Sequence, residues 1–233
     1  MVGKPRRKPA ARAGASADKP ERERIIDAFM ALLAEKPIER IGFAEIAQRA
    51  RVSLPQLRGL FASTLAILAA QVKETDRAVL ASEDADIAEE PARERLFDVL
   101  MRRLELLEPH KAAVRSLQRS AACNPGLAFA LNGLTVRSQQ WMLTAADIGS
   151  AGPRGMLRAQ GLAVLYASVL RTWVHDDDPG RARTMAALDR ALARGQRWSG
   201  LLDDLCRIPT FFSRMRRPRR RDGDGDGEEK VAA

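Results

Sequence analysis

The sequence predicts an all-α fold, and three observations carry that expectation. Apolar residues recur every three to four positions through most of the chain, no run alternates β-branched with polar residues, and proline and glycine fall between the periodic stretches. With 233 residues, 45% of them apolar, the chain can bury roughly 70% of the surface its unfolded form exposes, so no disulfide scaffold is needed.

Ile25, Ile26, Phe29, Leu32 and Leu33 mark a helix from about Glu21 to Lys36, with Asp18 and Glu21 spaced as a capping box and Pro37 as the stop. A short helix from Phe43 to Ala50 turns Phe43, Ile46 and Ala47 inward. After a tight turn through Arg51 and Val52, a second short helix runs from Leu54 to Phe61. Ser53 and Gln56 form its capping box, and Pro55 sits in the first turn, where a missing N–H does no harm. Ser63 caps a helix reaching about Leu80. Beyond an acidic connection ending at Pro91, Leu96, Leu100, Leu104 and Leu107 form a stripe that Pro109 terminates, and another helix runs to about Ala122. Asn124-Pro125-Gly126 is a break before a helix from Leu127 to about Ala146, and Gly149 to Gly155 is a second break. Two helices close the body: Met156 to Val174, then one after Asp178-Pro179 with Met185, Leu188 and Leu192 on one face.

Charge is unevenly spread. Lys and Arg number 39 against 30 acids, a formal charge of +9 with a pI near 10.3, which favours a polyanionic partner. Residues 1–20 hold +5 of it and residues 208–233 another +2, leaving +2 for the 187 residues between. Both ends are expected to be disordered. The basic start lacks the apolar core of a secretory signal, and the longest nearly apolar run, Leu162 to Leu170, is far short of the ~20 residues that span a bilayer. A cytoplasmic protein with no membrane insertion is therefore expected. Cys123 and Cys206 form no Cys-x-x-Cys pair and suit a reducing compartment. Asp222-Gly-Asp224-Gly-Asp226-Gly227 copies the start of a calcium loop, but its twelfth position is Ala233, and His175 before three aspartates has no convergent partners, so no metal site is expected. No nucleophile-base order, paired carboxylates or phosphate-cradling glycine loop stands out, which argues against an enzyme and against a cofactor.

Phe43 to Phe61 has the shape that major-groove reading needs: two short helices crossing at a tight turn, the second amphipathic and narrow enough for a groove about 12 Å wide. Ile46-Ala47, Arg49-Ala50, Val52-Ser53, Leu57, Phe61 and Ser63, with the flanking helices, resemble the TetR family of bacterial transcription regulators. The resemblance implies a double-stranded DNA operator, a homodimer whose last two helices form a four-helix bundle, and a small-molecule cavity in the larger domain. Arg51 stands where the family has a turn glycine, Arg58 where it has a phosphate-binding tyrosine, Leu60 where it has histidine and Thr64 where it has lysine.

The expected organisation is a basic arm at 1–20, a helix-turn-helix domain at 21–80, an effector-binding and dimerisation domain at 81–207 and a tail at 208–233. Expected DNA contacts are Arg49, Arg51, Ser53, Leu54, Gln56, Arg58, Ser63 and Thr64, with Arg6, Arg7 and Lys8 of the arm, against a solvated tail for the last three; Gln56 and Arg58 are the base-reading candidates, by amide-to-adenine and guanidinium-to-guanine pairing, against occupation of Gln56 in the helix cap and a phosphate contact for Arg58. Cys123, Phe129, Trp141, Met142 and Tyr166 are the candidates for lining an effector site that takes an apolar or aromatic molecule, against ordinary core packing. Leu157, Leu165, Val169, Trp173, Met185, Leu188 and Leu192 are the candidates for the dimer seam. The primary expectation is a repressor released by its effector. Trp173, Asp176-Asp177-Asp178-Pro179, Thr184 and Leu188-Asp189 also resemble the closing region of a ubiquinone-biosynthesis accessory family of the same fold, which implies the alternative of a lipid- or isoprenoid-binding protein that does not read DNA.

Overall fold

Helix α1 (Glu21–Glu35) forms where Ile25, Phe29, Leu32 and Leu33 share one face, and all four are buried. The computed structural model describes residues 19–82 and 89–207, with side chains as far as residue 195. The N-cap of α1 is Pro20 with no side-chain hydrogen bond, which corrects the expected box opened by Asp18; Asp18 lies outside the described residues. Pro37 ends the helix, and a single 3-10 turn at Ile38–Arg40 leads on to α2 (Phe43–Ala50), α3 (Leu54–Leu60) and α4 (Thr64–Ala81).

Helix α5 (Ala92–Leu107) passes through a 3-10 turn, Glu108–His110, directly into α6 (Lys111–Cys123). Helix α7 (Pro125–Ala145) is capped by the Asn124 side chain, which accepts from the Leu127 N–H at 3.0 Å. Helix α8 (Gly152–Trp173) begins before the expected Met156, because Pro153 occupies the first turn, where its missing N–H leaves nothing unpaired. Gly155 is buried there, and a Cβ on it would lie 2.1 Å from the Ser150 carbonyl carbon, so only glycine lets the helix lie so close to the preceding loop. Helix α9 (Ala182–Arg207) closes the described chain.

Two hydrophobic clusters organise the unit that runs to Gln196; of the unit 197–233, only the helical backbone ending α9 is described. One cluster gathers α1, α2, α3 and the first half of α4, and includes Ala113 of α6. The other takes Val79 of α4 with α5, α7, α8 and α9. Helix α4 thus belongs to both, and α6 reaches back to pack on α1, so no boundary at residue 80 separates the cores. Among the described residues no helix is long and apolar enough to cross a membrane, and no group of side chains suits a metal.

Candidate nucleic-acid interface and the core behind it

Helices α2 and α3 pack through Ile46, Ala47 and Leu57, all nearly inaccessible, so the pair is held as one rigid unit on α1. The turn between them requires a left-handed residue, and Arg51 supplies it at φ 55°, ψ 48°, its N–H bonding to the Ala47 and Gln48 carbonyls. A non-glycine residue in this region is unfavourable by roughly 1–2 kcal/mol. The Ser53–Gln56 capping box is present: the Ser53 hydroxyl accepts from the Gln56 N–H at 3.3 Å, and the Gln56 carbonyl oxygen accepts from the Ser53 N–H at 2.8 Å. The rest of the Gln56 amide is occupied too, its Nε2 donating to Glu21 Oε1 of α1 at 2.7 Å. Gln56 is therefore engaged at both ends of its amide: the capping role expected from its spacing to Ser53 is present, and Glu21 of α1 holds the nitrogen as well.

Arg49 is also engaged. Its guanidinium makes two parallel bonds to the Glu35 carboxylate, at 2.8 and 2.6 Å, and this contact holds Glu35 below its usual carboxylate pKa and raises that of Arg49. Arg51 and Arg58 are different: both are exposed and neither guanidinium makes a hydrogen bond or ion pair with any described residue. Leu54, at the first position of α3, is 52% exposed. Ser63 caps α4 by accepting from the Ala66 N–H at 3.0 Å, with Thr64 half-buried beside it. Arg22 of α1 lies 5.2 Å from the Phe61 ring centroid and ties the end of α3 to α1. Arg6, Arg7 and Lys8 lie outside the described residues. The sequence thus located the element, but of the three arginines in the local cluster only two carry charge free for phosphates.

Behind this surface, α4 carries a buried acid. Asp76 Oδ1 accepts from the Ser138 hydroxyl of α7 at 2.7 Å and from Arg103 of α5, whose Nε and second terminal nitrogen approach to 3.2 and 3.0 Å. Arg103 also donates to the Tyr166 hydroxyl of α8 at 3.1 Å. Burial works against the charged guanidinium, but the Tyr166 and Asp76 oxygens outweigh it and the net effect raises the Arg103 pKa; burial likewise raises that of Tyr166. Gln139, fully buried on α7, makes no hydrogen bond from either amide atom among the described residues. These residues were missed, yet one signal was legible: Arg103 interrupts the apolar stripe of Leu96, Leu100, Leu104 and Leu107 at a position facing the core.

The expected effector-lining set does not converge. Met142 and Tyr166 are buried, whereas Phe129 is 81% and Trp141 57% exposed, and Cys123 is exposed beside an open groove of about 680 Å³ between the ends of α1 and α6. Neighbours in sequence, Trp141 and Met142 face different directions from α7, one outward and one into the core, because successive residues lie about 100° apart. The seam set also divides. Val169, Trp173, Leu188 and Leu192 are buried in the core of the chain itself, Leu165 is half-buried, and Leu157 and Met185 are exposed, as are Met156 and Val164.

No family model matches the sequence, and no curated protein matches it. Solved structures do. A TetR transcriptional regulator from Nitrosomonas europaea, 23% identical, aligns over 76% of this chain and 99% of its own with a TM-score of 0.60. A protein assigned to the TetR-family transcriptional regulators from Rhodococcus sp., 20% identical, aligns over 74% of this chain and 98% of its own with a TM-score of 0.51. At these identities the likeness establishes the shared architecture.

Proposed function

The fold of the TetR transcriptional regulators is this chain's own fold, and from it we propose that the protein is a cytoplasmic, dimeric, sequence-specific DNA-binding regulator. It acts as a repressor whose hold on a double-stranded operator is relieved by an apolar or aromatic small molecule. The observation that carries this reading is the contrast within the helix-turn-helix: Gln56, Arg49, Ser53 and Ser63 are consumed in building it, while Arg51 and Arg58 flank α3 with unpaired guanidinium groups. Two such charges at the turn and on α3 suit phosphate and groove contact. Exposed Leu157, Val164 and Met185 on the last two helices support a dimer, and α4, anchored in both hydrophobic clusters, supports coupling between head and core.

The residues behind the lipid-binding alternative have internal duties. Asp176 Oδ2 accepts from the Thr184 N–H at 2.8 Å and from its hydroxyl at 2.6 Å, fastening the end of α8 to the start of α9, and Trp173 and Leu188 fill the core beside them. Nothing in that region requires a lipid. Selection of the purified protein against random duplexes at moderate salt tests the proposal: enrichment of an inverted repeat supports it, and a protein that enriches nothing and carries a stoichiometric lipid overturns it in favour of the accessory-protein reading.

A further inference from the structure

The surface of α3 is asymmetric. Buried Leu57 fixes its inner side, and at about 100° per residue Pro55 and Gly59 fall opposite, Leu54 and Arg58 on one flank, and on the other Gln56 with Leu60, which is 42% exposed but ends the helix, away from the N-terminal residues that reach base edges. The outermost positions are short: Gly59 has no side chain and faces open space, with nothing within 4 Å of where a Cβ would stand. A helix with so low a crest can sit deep in a major groove. On the Gln56 flank, both amide ends are bound, one to the cap and the other to Glu21, and the Glu21 carboxylate adds a negative charge that disfavours approach to phosphates on that side. On the opposite flank an exposed aliphatic side chain and an unpaired guanidinium stand one turn apart.

We infer that α3 reads its half-site from one flank only, Arg58 pairing with a guanine and Leu54 packing on a thymine methyl. This rests on the DNA-binding reading proposed above. Guanine offers the O6 and N7 acceptors that a guanidinium engages with two bonds, and the thymine C5-methyl is the apolar group that the major groove presents to a leucine. Residues four apart on a helix are separated by about 6 Å along its axis, and successive base pairs by about 3.4 Å. The guanine and the thymine methyl therefore lie close together within each half-site, on the stretch of groove that one turn of α3 covers. Gln56 sets the helix entry and contributes no base preference.

The test uses the full chain and the half-site it selects. Replacing the thymine by deoxyuridine, which lacks only the methyl, weakens the parent several-fold and leaves Leu54→Ala unaffected. Replacing the guanine by 7-deazaguanine weakens the parent and leaves Arg58→Ala unaffected, that variant itself losing about five- to 150-fold in affinity and its preference at that base pair. Gln56→Ala, though it loosens the helix entry and lowers overall affinity, is weakened by the two base analogues by the same factors as the parent. If the parent enriches no inverted repeat, both the DNA-binding reading and this inference fall. If it enriches one, but the base analogues weaken Leu54→Ala and Arg58→Ala as much as the parent, or an analogue at another base pair weakens the parent and leaves Gln56→Ala unaffected, the one-flank readout alone falls.

Discussion

Asp76→Asn removes one charge from the most enclosed ion pair in the described chain and leaves its shape almost unchanged. Arg103 and Asp76 are 5% and 7% exposed, and the guanidinium is held by one carboxylate oxygen at 3.0 and 3.2 Å and by the Tyr166 hydroxyl at 3.1 Å. Without the carboxylate, a positive charge remains in the interior with only a neutral hydroxyl and an amide against it. Breaking a buried pair by removing one partner destabilises by about 3–5 kcal/mol, whereas exchanging both for apolar groups of similar volume is often neutral or stabilising. Asp76→Asn is therefore expected to lower the thermal midpoint by roughly 6–20 °C for a chain of this size. Arg103→Met should be destabilising by a comparable amount, since it strands Asp76 with the Ser138 hydroxyl alone, and the Asp76→Leu/Arg103→Met double variant should recover most of the loss. Thermal and urea unfolding of these proteins, with Asp76→Leu as the single change that closes the cycle with Arg103→Met, gives the coupling directly. An Asp76→Asn protein within about 1 kcal/mol of the parent, or a double variant as unstable as the sum of the single changes, would refute the reasoning.

Arg51→Gly relieves a left-handed arginine at some expense in chain entropy, a net gain of about 0.5–1 kcal/mol; unfolding should show that gain, while the salt dependence of duplex binding becomes shallower by about one phosphate contact. Gly155→Ala forces a methyl group into the Ser150 carbonyl and should destabilise by about 1–3 kcal/mol, read in urea, whereas Gly133→Ala, in open space on α7, should not destabilise. The Thr184 hydroxyl, aided by its N–H, holds the Asp176 carboxyl below its ordinary range. A depressed folded pKa contributes stability above the unfolded value and loses it as pH falls, so unfolding stability should decline below about pH 4, and Thr184→Val should make that decline shallower.

The helices and the helix-turn-helix were legible because their signals are local. The Ser53–Gln56 cap, the Ser63 cap and the inward positions of Ile46, Ala47 and Leu57 follow from spacing within a few residues, and each stands in the structure, whereas Phe43, expected inward with them, opens α2 at its first position and is 46% exposed. What escaped depends on partners distant along the chain. Glu35 neutralises Arg49 and Glu21 claims the Gln56 amide, and nothing in the local pattern of α2 or α3 announces either contact. The faces of α7 and α8 were misjudged for a different reason. Apolar residues occupy most of the circumference of both helices, so their spacing indicates a helix without fixing which side is inward; Phe129 and Trp141 proved exposed and Val169 and Trp173 buried. The start of α8 was misplaced because Pro153 and Gly155 were read as breakers, when one suits a first turn and the other a close approach.

Native mass spectrometry of the purified full chain, alone and with a duplex bearing its selected site, tests the central claim most directly. The account predicts a complex of two chains on one duplex, with the free protein carrying no stoichiometric lipid. A free protein carrying one lipid per chain that leaves the duplex unbound would contradict it.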